Sequence, residues 1–130
     1  MQVKSILELR NTDREVKGVG FTSLRVLLES DKMGFGLNTT IIPKGGPYHW
    51  HYKNHLEACY CVKGSGVLHN LETGEEFIIS PDDTYVLDKN DSHTFEAIED
   101  TVLISVFNPP LTGQEVHDKD GSYSLNKENI

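Results

Sequence analysis

The densest group of side chains able to do chemistry lies between residues 49 and 57. Three histidines and one carboxylate fall within these nine positions: His49, His51, His55 and Glu57. Imidazole and carboxylate are common ligands of divalent first-row metals. A second polar patch, Asp82 to His93, contains Tyr85 and His93 beside a run of turn-forming residues. The two patches together predict a metal site.

The elements that must position these residues are strands. Short runs rich in β-branched and aromatic residues alternate with Gly, Pro, Asn and Asp clusters, and no helical period is sustained. This pattern predicts an all-β fold, a sandwich or a barrel, and possible ligands at the strand ends favour a small barrel. At 130 residues the chain is expected to form one domain, 1–130. We divide it into an N-terminal segment 1–20, a barrel 21–107, and a C-terminal tail 108–130 that closes the barrel mouth and frays at 125–130.

Two strand predictions bear directly on the site. The runs Thr84–Leu87 and Ser92–Ile98 are predicted to form a hairpin, which would let Tyr85 and His93 face each other on one side of a sheet. The strand Phe21–Leu28 has one mostly apolar parity, which is expected to pack in a core layer. It leaves Arg25 with two interpretations, an outward-facing charge or a functional residue. The core parity is Thr22, Leu24, Val26 and Leu28.

The composition of the chain limits which classes of partner it can bind. The formal net charge is -8, and Lys and Arg are not clustered, which argues against nucleic acid or an anionic membrane as a partner. No apolar run is long enough to span a bilayer and no signal-peptide pattern begins the chain, so we expect a cytoplasmic protein. Cys59 and Cys61 share one face of a predicted strand and are expected to stay reduced.

The first patch resembles the first sequence motif of the cupin superfamily, a class of small jelly-roll-like β-barrels. Gly45, His51, Glu57 and Gly64 fall on its spacing, whereas Lys53 stands where a ligand histidine is usual. In the second patch His93 falls on the ligand histidine of the second cupin motif. Asp88 and Asn90 replace the usual Pro and Gly there. The standard set of three histidines and a glutamate cannot be assembled, and His49 and His55 are off register.

The sequence departs from the standard cupin motifs in the same way as one family, the ectoine synthases, and it resembles that family over nearly the whole chain. Its most specific segments are Asn11–Val16, His51–Ala58, Tyr85–Lys89 and Val106–Asp118. The resemblance implies an iron(II)-dependent enzyme, a carbon–oxygen lyase that cyclises N-γ-acetyl-L-2,4-diaminobutyrate to the compatible solute ectoine with loss of water. An acidic chain suits a cytoplasmic osmolyte pathway. A homodimer is expected, because cupins often pair and the N-terminal segment could add to a partner's sheet.

The resemblance also implies the site residues. The iron ligands would be Glu57, Tyr85 and His93. The residues lining the substrate pocket would be Phe21, Arg25, Asn38, Thr40, Tyr52, Phe107, Glu115 and His117. Tyr52, Glu115 and His117 would be catalytic. Position 21 is commonly Trp in the family, so Phe21 keeps a ring face and lacks the indole N–H donor.

The residue types agree with this assignment in part. Carboxylate, phenol and imidazole suit iron or another first-row metal. A tyrosine ligand must lose a proton whose ordinary pKa is about 10, and Tyr85 could instead be a buried aromatic with a bonded hydroxyl. The fork of Arg25 matches a substrate carboxylate. Glu115 and His117 could move protons or hold the substrate's ammonium group.

Two other functions remain open. One is a different metal-dependent cupin enzyme, a dioxygenase or an isomerase. The other is a cupin that binds a small molecule without catalysis. The roles of His49, His51, His55, Cys59 and Cys61 are not assigned by the sequence.

Overall fold

The computed structural model describes residues 1–123, which form a barrel of two antiparallel sheets. A short helix, α1 (Ile6–Leu9), precedes the strands, and a 3-10 helix follows β2 at Glu29–Asp31. The strands are β1 (Glu15–Gly18), β2 (Phe21–Leu27), β3 (Gly36–Ile42), β4 (Gly45–Trp50), β5 (Leu56–Lys63), β6 (Gly66–Asn70), β7 (Glu76–Ile79), β8 (Thr84–Leu87), β9 (His93–Ala97) and β10 (Thr101–Asn108).

The strands divide into a six-stranded and a four-stranded sheet. Their orders are β1-β2-β3-β10-β5-β8 and β4-β9-β6-β7. The predicted all-β barrel is confirmed. Within residues 1–123 no helix has the length and apolarity to cross a membrane.

Strand β10 lies in the interior of the large sheet and shows why these segments become strands. Thr101, Leu103, Ser105 and Phe107 are buried, and the residues between them are more exposed. This period of two matches the alternation of side chains along a strand. The β-branched residues at the outward positions favour the extended backbone.

The turn after β5 depends on Gly64. Its φ is +89°, and a Cβ at this position would lie 2.3 Å from the backbone oxygen of Asp100. Only glycine tolerates both the left-handed backbone and this close approach. The last glycine of the first cupin-like motif therefore has a structural function.

The predicted core parity of β2 is confirmed in part: Leu24 and Leu28 are buried, whereas Thr22 and Val26 are half-buried. The face that looks into the barrel carries Phe21, Ser23 and Arg25, all of which are buried. Leu24 is fully buried on the opposite face, where α1 packs against β2 and Leu9 is also buried. The apolar face is covered by this helix, and the interior face is polar because it forms the site.

The predicted hairpin of Tyr85 with His93 is also wrong. β8 pairs with β5 in the large sheet, whereas β9 pairs with β4 and β6 in the small one. The loop between β8 and β9 is bound to the segment between β4 and β5, because the Asn90 side-chain amide donates to the backbone oxygens of Tyr52 (3.0 Å) and His55 (3.2 Å). Tyr85 and His93 therefore come from opposite walls of the barrel.

The C-terminal tail packs against the segment that follows β4. The backbone amide of His51 donates to the oxygen of Gly121 (3.2 Å), and that of Lys53 donates to Ser122 Oγ (2.9 Å). Lys53 also forms a salt bridge with Asp120. The limits of the predicted segments stay a prediction, and the expected fraying of 125–130 concerns residues outside those described.

Candidate active site

One cavity in the barrel interior brings together seven of the predicted site residues. Its volume is about 20 Å³, which is room for a water molecule. Side chains from both sheets and from the tail line it. The seven are Phe21, Asn38, Thr40, Tyr52, Glu57, Tyr85 and Phe107.

The other four predicted residues, Arg25, His93, Glu115 and His117, do not line this cavity. They lie in the layer next to it. His117 contacts the rings of Phe21 (4.7 Å between centroids) and Tyr52 (5.4 Å). The ring of His93 lies 6.5 Å from that of Tyr52. The structure thus places one group of residues around the cavity and a second group behind it.

Tyr52 and His117 form a hydrogen-bonded pair. The Tyr52 hydroxyl lies 2.8 Å from His117 Nε2. Burial, with the charge of Arg25 adding to it, lowers the pKa of His117 to about 4, so at neutral pH the imidazole is uncharged. Burial raises the pKa of Tyr52 well above its ordinary value. The pair is therefore a neutral phenol beside a neutral imidazole, which can accept a proton.

Arg25 is fully buried without a carboxylate within ion-pair distance among residues 1–123. Its Nη2 donates to the backbone oxygen of Glu115 (2.7 Å). Its Nε and Nη1 are buried with no hydrogen-bond partner in the described chain. A buried charge is costly unless it is paired, so this guanidinium fits an anionic group of a ligand.

The carboxylate of Glu115 is held by its own turn. The backbone amide of Thr112 donates to both carboxylate oxygens (2.9 and 2.8 Å), and that of Gly113 donates to Oε1 (3.0 Å). Burial acts to raise the pKa of Glu115, but these backbone donors outweigh it and hold the pKa below its ordinary value. At neutral pH Glu115 is therefore expected to be a carboxylate, and its bonds to Thr112 and Gly113 hold this turn of the tail. Its catalytic role stays a prediction.

Glu57 and Tyr85 lie on the neighbouring strands β5 and β8. Tyr85 is directly opposite Cys59, and Glu57 is one inward position further along. Burial raises the pKa of Glu57 to about 7 and that of Tyr85 well above its ordinary value. Without a neighbouring cation Tyr85 is a neutral phenol, and a divalent metal is the kind of charge that would remove its proton.

His93 presents a nitrogen suited to a metal. Its Nδ1 lies 3.0 Å from the backbone oxygen of Asp91. Because that oxygen can only accept, Nδ1 carries the proton and Nε2 carries the lone pair. Nε2 is buried and has no partner among residues 1–123. A histidine oriented by a backbone carbonyl is a common arrangement for a metal ligand.

The donor set fits a divalent metal in its chemistry. One carboxylate, one phenol and one oriented imidazole match iron(II) or a similar ion. Within the described residues no three His, Cys, Asp or Glu side chains lie close enough together to hold a metal. The predicted ligand set contains one Glu and one His, and its third member is a tyrosine.

A polar chain links the two halves of the cavity. Thr40 Oγ1 lies 3.0 Å from Ser105 Oγ, and Cys59 Sγ lies 3.7 Å from the same oxygen. Ser105 sits on β10 between Asn38 of β3 and Cys59 of β5. It joins the predicted substrate side of the barrel to the predicted metal side, a position that sequence reasoning did not identify.

Sequence reasoning also missed Tyr123 and Trp50, which line the cavity. Tyr123 is 2% exposed and stacks on Tyr52, with centroids 5.0 Å apart. A signal for Tyr123 was present, because it is the one Phe, Tyr or Trp in the polar stretch 114–130. Trp50 stacks on Phe95 in the interior. In the sequence it lies between His49 and His51, and attention went to the histidines as possible ligands.

The unassigned side chains separate into inner and outer groups. Cys59 and Cys61 are buried free thiols, as predicted. His55 is buried, with both ring nitrogens lacking a partner in the described chain. His49 is exposed and its Nε2 lies 2.8 Å from Ser92 Oγ, so it is separated from the cavity.

The fold is that of a cupin. An RmlC-like cupin from Shewanella frigidimarina superposes with a TM-score of 0.60 at 18% identity, covering 73% of this chain and 81% of that one. A barrel with inward-facing Glu, Tyr and His side chains is consistent with that class, and the predicted cupin fold is confirmed.

Closer relatives define the family. The family model described as ectoine synthase matches residues 1–127. The L-ectoine synthase of Alkalilimnicola ehrlichii is 48% identical over 126 residues, 96% of each chain. The crystal structure of ectoine synthase from P. lautus superposes with a TM-score of 0.86 at 41% identity, covering 93% of this chain and 87% of that one. The chain belongs to the ectoine synthase family. It is an enzyme, a carbon–oxygen lyase of the hydro-lyase class, as the sequence predicted.

Proposed function

We propose that this enzyme cyclises N-γ-acetyl-L-2,4-diaminobutyrate to ectoine with loss of water, and that it depends on iron(II). One observation carries the proposal. Seven residues that the family resemblance assigns to substrate or metal line a single cavity inside the barrel. Membership of the family supplies the reaction, and these seven side chains supply candidate contacts for the substrate and the metal.

Arg25 would bind the substrate carboxylate. Its guanidinium is buried, and two of its three nitrogens have no partner in the described chain. A carboxylate accepts two parallel N–H bonds from such a fork. This contact would fix one end of the substrate and so orient the α-amine attached next to the carboxylate.

The aromatic walls would fold the substrate. Phe21, Tyr52 and Phe107 line the cavity, and the Tyr52 and Phe107 rings meet edge to face at 5.4 Å. The reaction needs the α-amine to meet the amide carbonyl of the same molecule. Holding the two ends together gives a large effective concentration, and the apolar rings exclude bulk water from a reaction that releases water.

Tyr52 and His117 would move the protons. The α-amine must be neutral to attack, and the departing carbonyl oxygen must gain two protons to leave as water. The neutral imidazole of His117 can accept a proton, and the Tyr52 hydroxyl bonded to it can donate one. A hydrogen-bonded pair of this kind can pass a proton between the two ends of the reacting group.

Glu57, Tyr85 and His93 would hold the iron. When bound there, iron(II) supplies Lewis-acid polarisation of the substrate carbonyl. Glu57 and Tyr85 line the cavity. His93 comes from the opposite sheet, and its buried Nε2 carries a lone pair with no partner in the described chain.

The substitution Glu57→Ala tests the metal assignment. We expect both iron content after anaerobic reconstitution and cyclisation to be lost, because a three-ligand set loses its only carboxylate. Glu76→Ala on the exposed face of β7 is the matched control and should keep both. Full iron content in the Glu57 variant would refute the assignment.

A second measurement separates the other enzyme class. A dioxygenase consumes oxygen, whereas a cyclising hydro-lyase does not. We expect no oxygen uptake when the reconstituted enzyme meets the substrate, and uptake in step with product would favour a dioxygenase.

The setting of the enzyme is part of the same proposal. We place it in the cytoplasm, in the synthesis of an osmolyte under osmotic stress, and we take its working form to be a homodimer. Support for the dimer comes from Met1 and Val3, which are exposed ahead of α1, and from β8, an edge strand of the large sheet with Val86 exposed.

A further inference from the structure

Tyr123 has more contacts with the site than a residue at the end of a polar tail requires. Its ring stacks on Tyr52 at 5.0 Å and 24°, lies 4.6 Å from the His117 ring, and meets Phe107 edge to face at 5.7 Å. It is 2% exposed and lines the cavity. The tail therefore contributes a wall of the cavity.

The backbone around Tyr123 is fastened on the same side. The side-chain amide of Asn54 donates to the Tyr123 backbone oxygen (2.9 Å), and the Lys53 amide donates to Ser122 Oγ (2.9 Å). These bonds join the tail to the segment that carries Tyr52. When the tail is in place, the ring of Tyr123 is therefore set directly over Tyr52.

The tail also fixes the guanidinium of Arg25. Its Cζ lies 5.8 Å from the centroid of the Tyr123 ring, within the range of a cation–π interaction. Its hydrogen bond goes to the backbone oxygen of Glu115. The tail thus supplies two contacts that orient the guanidinium.

We propose that Tyr123 is a positioning residue for the reaction, which couples closure of the tail to alignment of Arg25 with the substrate carboxylate. This inference rests on the proposed function. The aromatic face would act in two ways: it lines the cavity beside Tyr52 and lies within cation–π distance of the guanidinium. Closure of the tail and assembly of the carboxylate clamp then become one event.

The proposal is tested with the pair Tyr123→Phe and Tyr123→Leu. Both side chains are apolar and fill similar space, so both variants are expected to fold, but only Phe keeps the ring face. We expect Phe to stay within about twofold of the parent KM and Leu to raise KM about tenfold, with unchanged iron content. Equal KM values for the two variants would overturn the proposal. Val116→Ala, at an exposed position of the same tail, is the control and should match the parent.

A double variant tests whether Tyr123 acts through Arg25. In a background that carries Arg25→Lys, the flat guanidinium is gone. We expect Tyr123→Leu to raise KM there by less than about threefold, because coupled residues are not additive. A full tenfold effect in that background would show that Tyr123 acts independently of Arg25.

Limited proteolysis separates this inference from the proposed function. Trypsin can cut after the exposed Lys119, and this reaction needs no substrate. We expect cleavage to be several-fold faster in Tyr123→Leu and unchanged in Tyr123→Phe. If the parent makes no cyclic product, the proposed function fails, and these cleavage rates still decide whether the ring holds the tail. Equal rates in all three proteins would refute that anchoring.

Discussion

At the scale of single residues, Arg25 is the group that distinguishes this interior from an ordinary core. We expect Arg25→Ala to raise KM by about 10-fold to 100-fold and to retain iron. This range is the loss of affinity that corresponds to the free energy of hydrogen bonds to a charged group. Arg25→Lys should fall between, because it keeps the charge and loses the fork. Steady-state kinetics beside an iron assay measure both. Arg10→Ala removes an exposed side chain that forms a salt bridge with Glu15 and serves as the control. An unchanged KM in Arg25→Ala would remove Arg25 from the carboxylate clamp.

His117 predicts a pH dependence of stability. Its folded-state pKa of about 4 lies below the ordinary 6.5, so the unfolded chain takes up the proton first. Stability from this group is complete above pH 6.5 and is lost as pH falls toward 4. The loss is at most about 3 kcal/mol.

Urea unfolding of the metal-free enzyme at pH 4.5 and pH 7 measures this dependence. We expect the stability at pH 4.5, relative to that at pH 7, to be higher in His117→Gln than in the parent, because the variant has no group that titrates there. Glu57, whose pKa of about 7 lies above its ordinary value, favours the folded state at low pH equally in both proteins. An unchanged difference would show that His117 does not carry the effect.

Residue roles were predictable where the family resemblance supplied them and less so where local pattern had to decide. The resemblance selected all seven predicted residues that line the cavity. The apolar parity of β2 forms a core layer only in part, because this face of the strand lies under α1 and the more polar face meets the barrel interior. Sequence pattern alone does not show which of two buried faces meets a site.

At the scale of elements, the connection between β8 and β9 shows a second limit. Residues 88–92 contain turn-forming types, which serve a hairpin and a crossing between sheets equally well. The choice depends on Asn90, whose amide donates to two backbone oxygens in the segment after β4. Such a long-range contact has no signature within the loop itself.

The docking of the tail makes Gly121 a sensitive position. Its φ is +70°, and an added Cβ would lie 2.6 Å from the His49 oxygen and 2.9 Å from the Trp50 Cα. We expect Gly121→Ala to displace the tail, which should speed cleavage after Lys119 and raise KM several-fold.

Gly74→Ala is the matched control for this prediction. Gly74 has a similar φ of +79°, but a Cβ there meets nothing within 4 Å. It should lose about 1 kcal/mol of stability from backbone strain and leave cleavage and KM unchanged. Equal behaviour of the two variants would show that the tail is not held at Gly121.

At the scale of the whole molecule, unsatisfied polar groups are concentrated in one region. The buried side chains with a polar atom lacking a partner within residues 1–123 are Ser23, Arg25, Asn38, His55 and His93. Buried polar groups are normally bonded, and departures from that rule collect at functional sites. The barrel therefore combines a stable outer packing with an interior built to bind.

Assembly is tested at the same scale. We expect a solution mass of twice the 14.6 kDa chain by light scattering. Val86→Lys places a charge on the open edge strand β8 and should favour the monomer. Val19→Lys, at another exposed valine, should leave the dimer intact. A monomeric parent, or equal masses for the two variants, would contradict a dimer built on this edge.

The most direct test of the account is the reaction itself. The enzyme is reconstituted with iron(II) without oxygen and incubated with N-γ-acetyl-L-2,4-diaminobutyrate, and the product is followed by NMR. We predict signals of the cyclic amidine that appear with iron and are absent without it. If protein shown to contain iron leaves the substrate unchanged, the proposed reaction is contradicted.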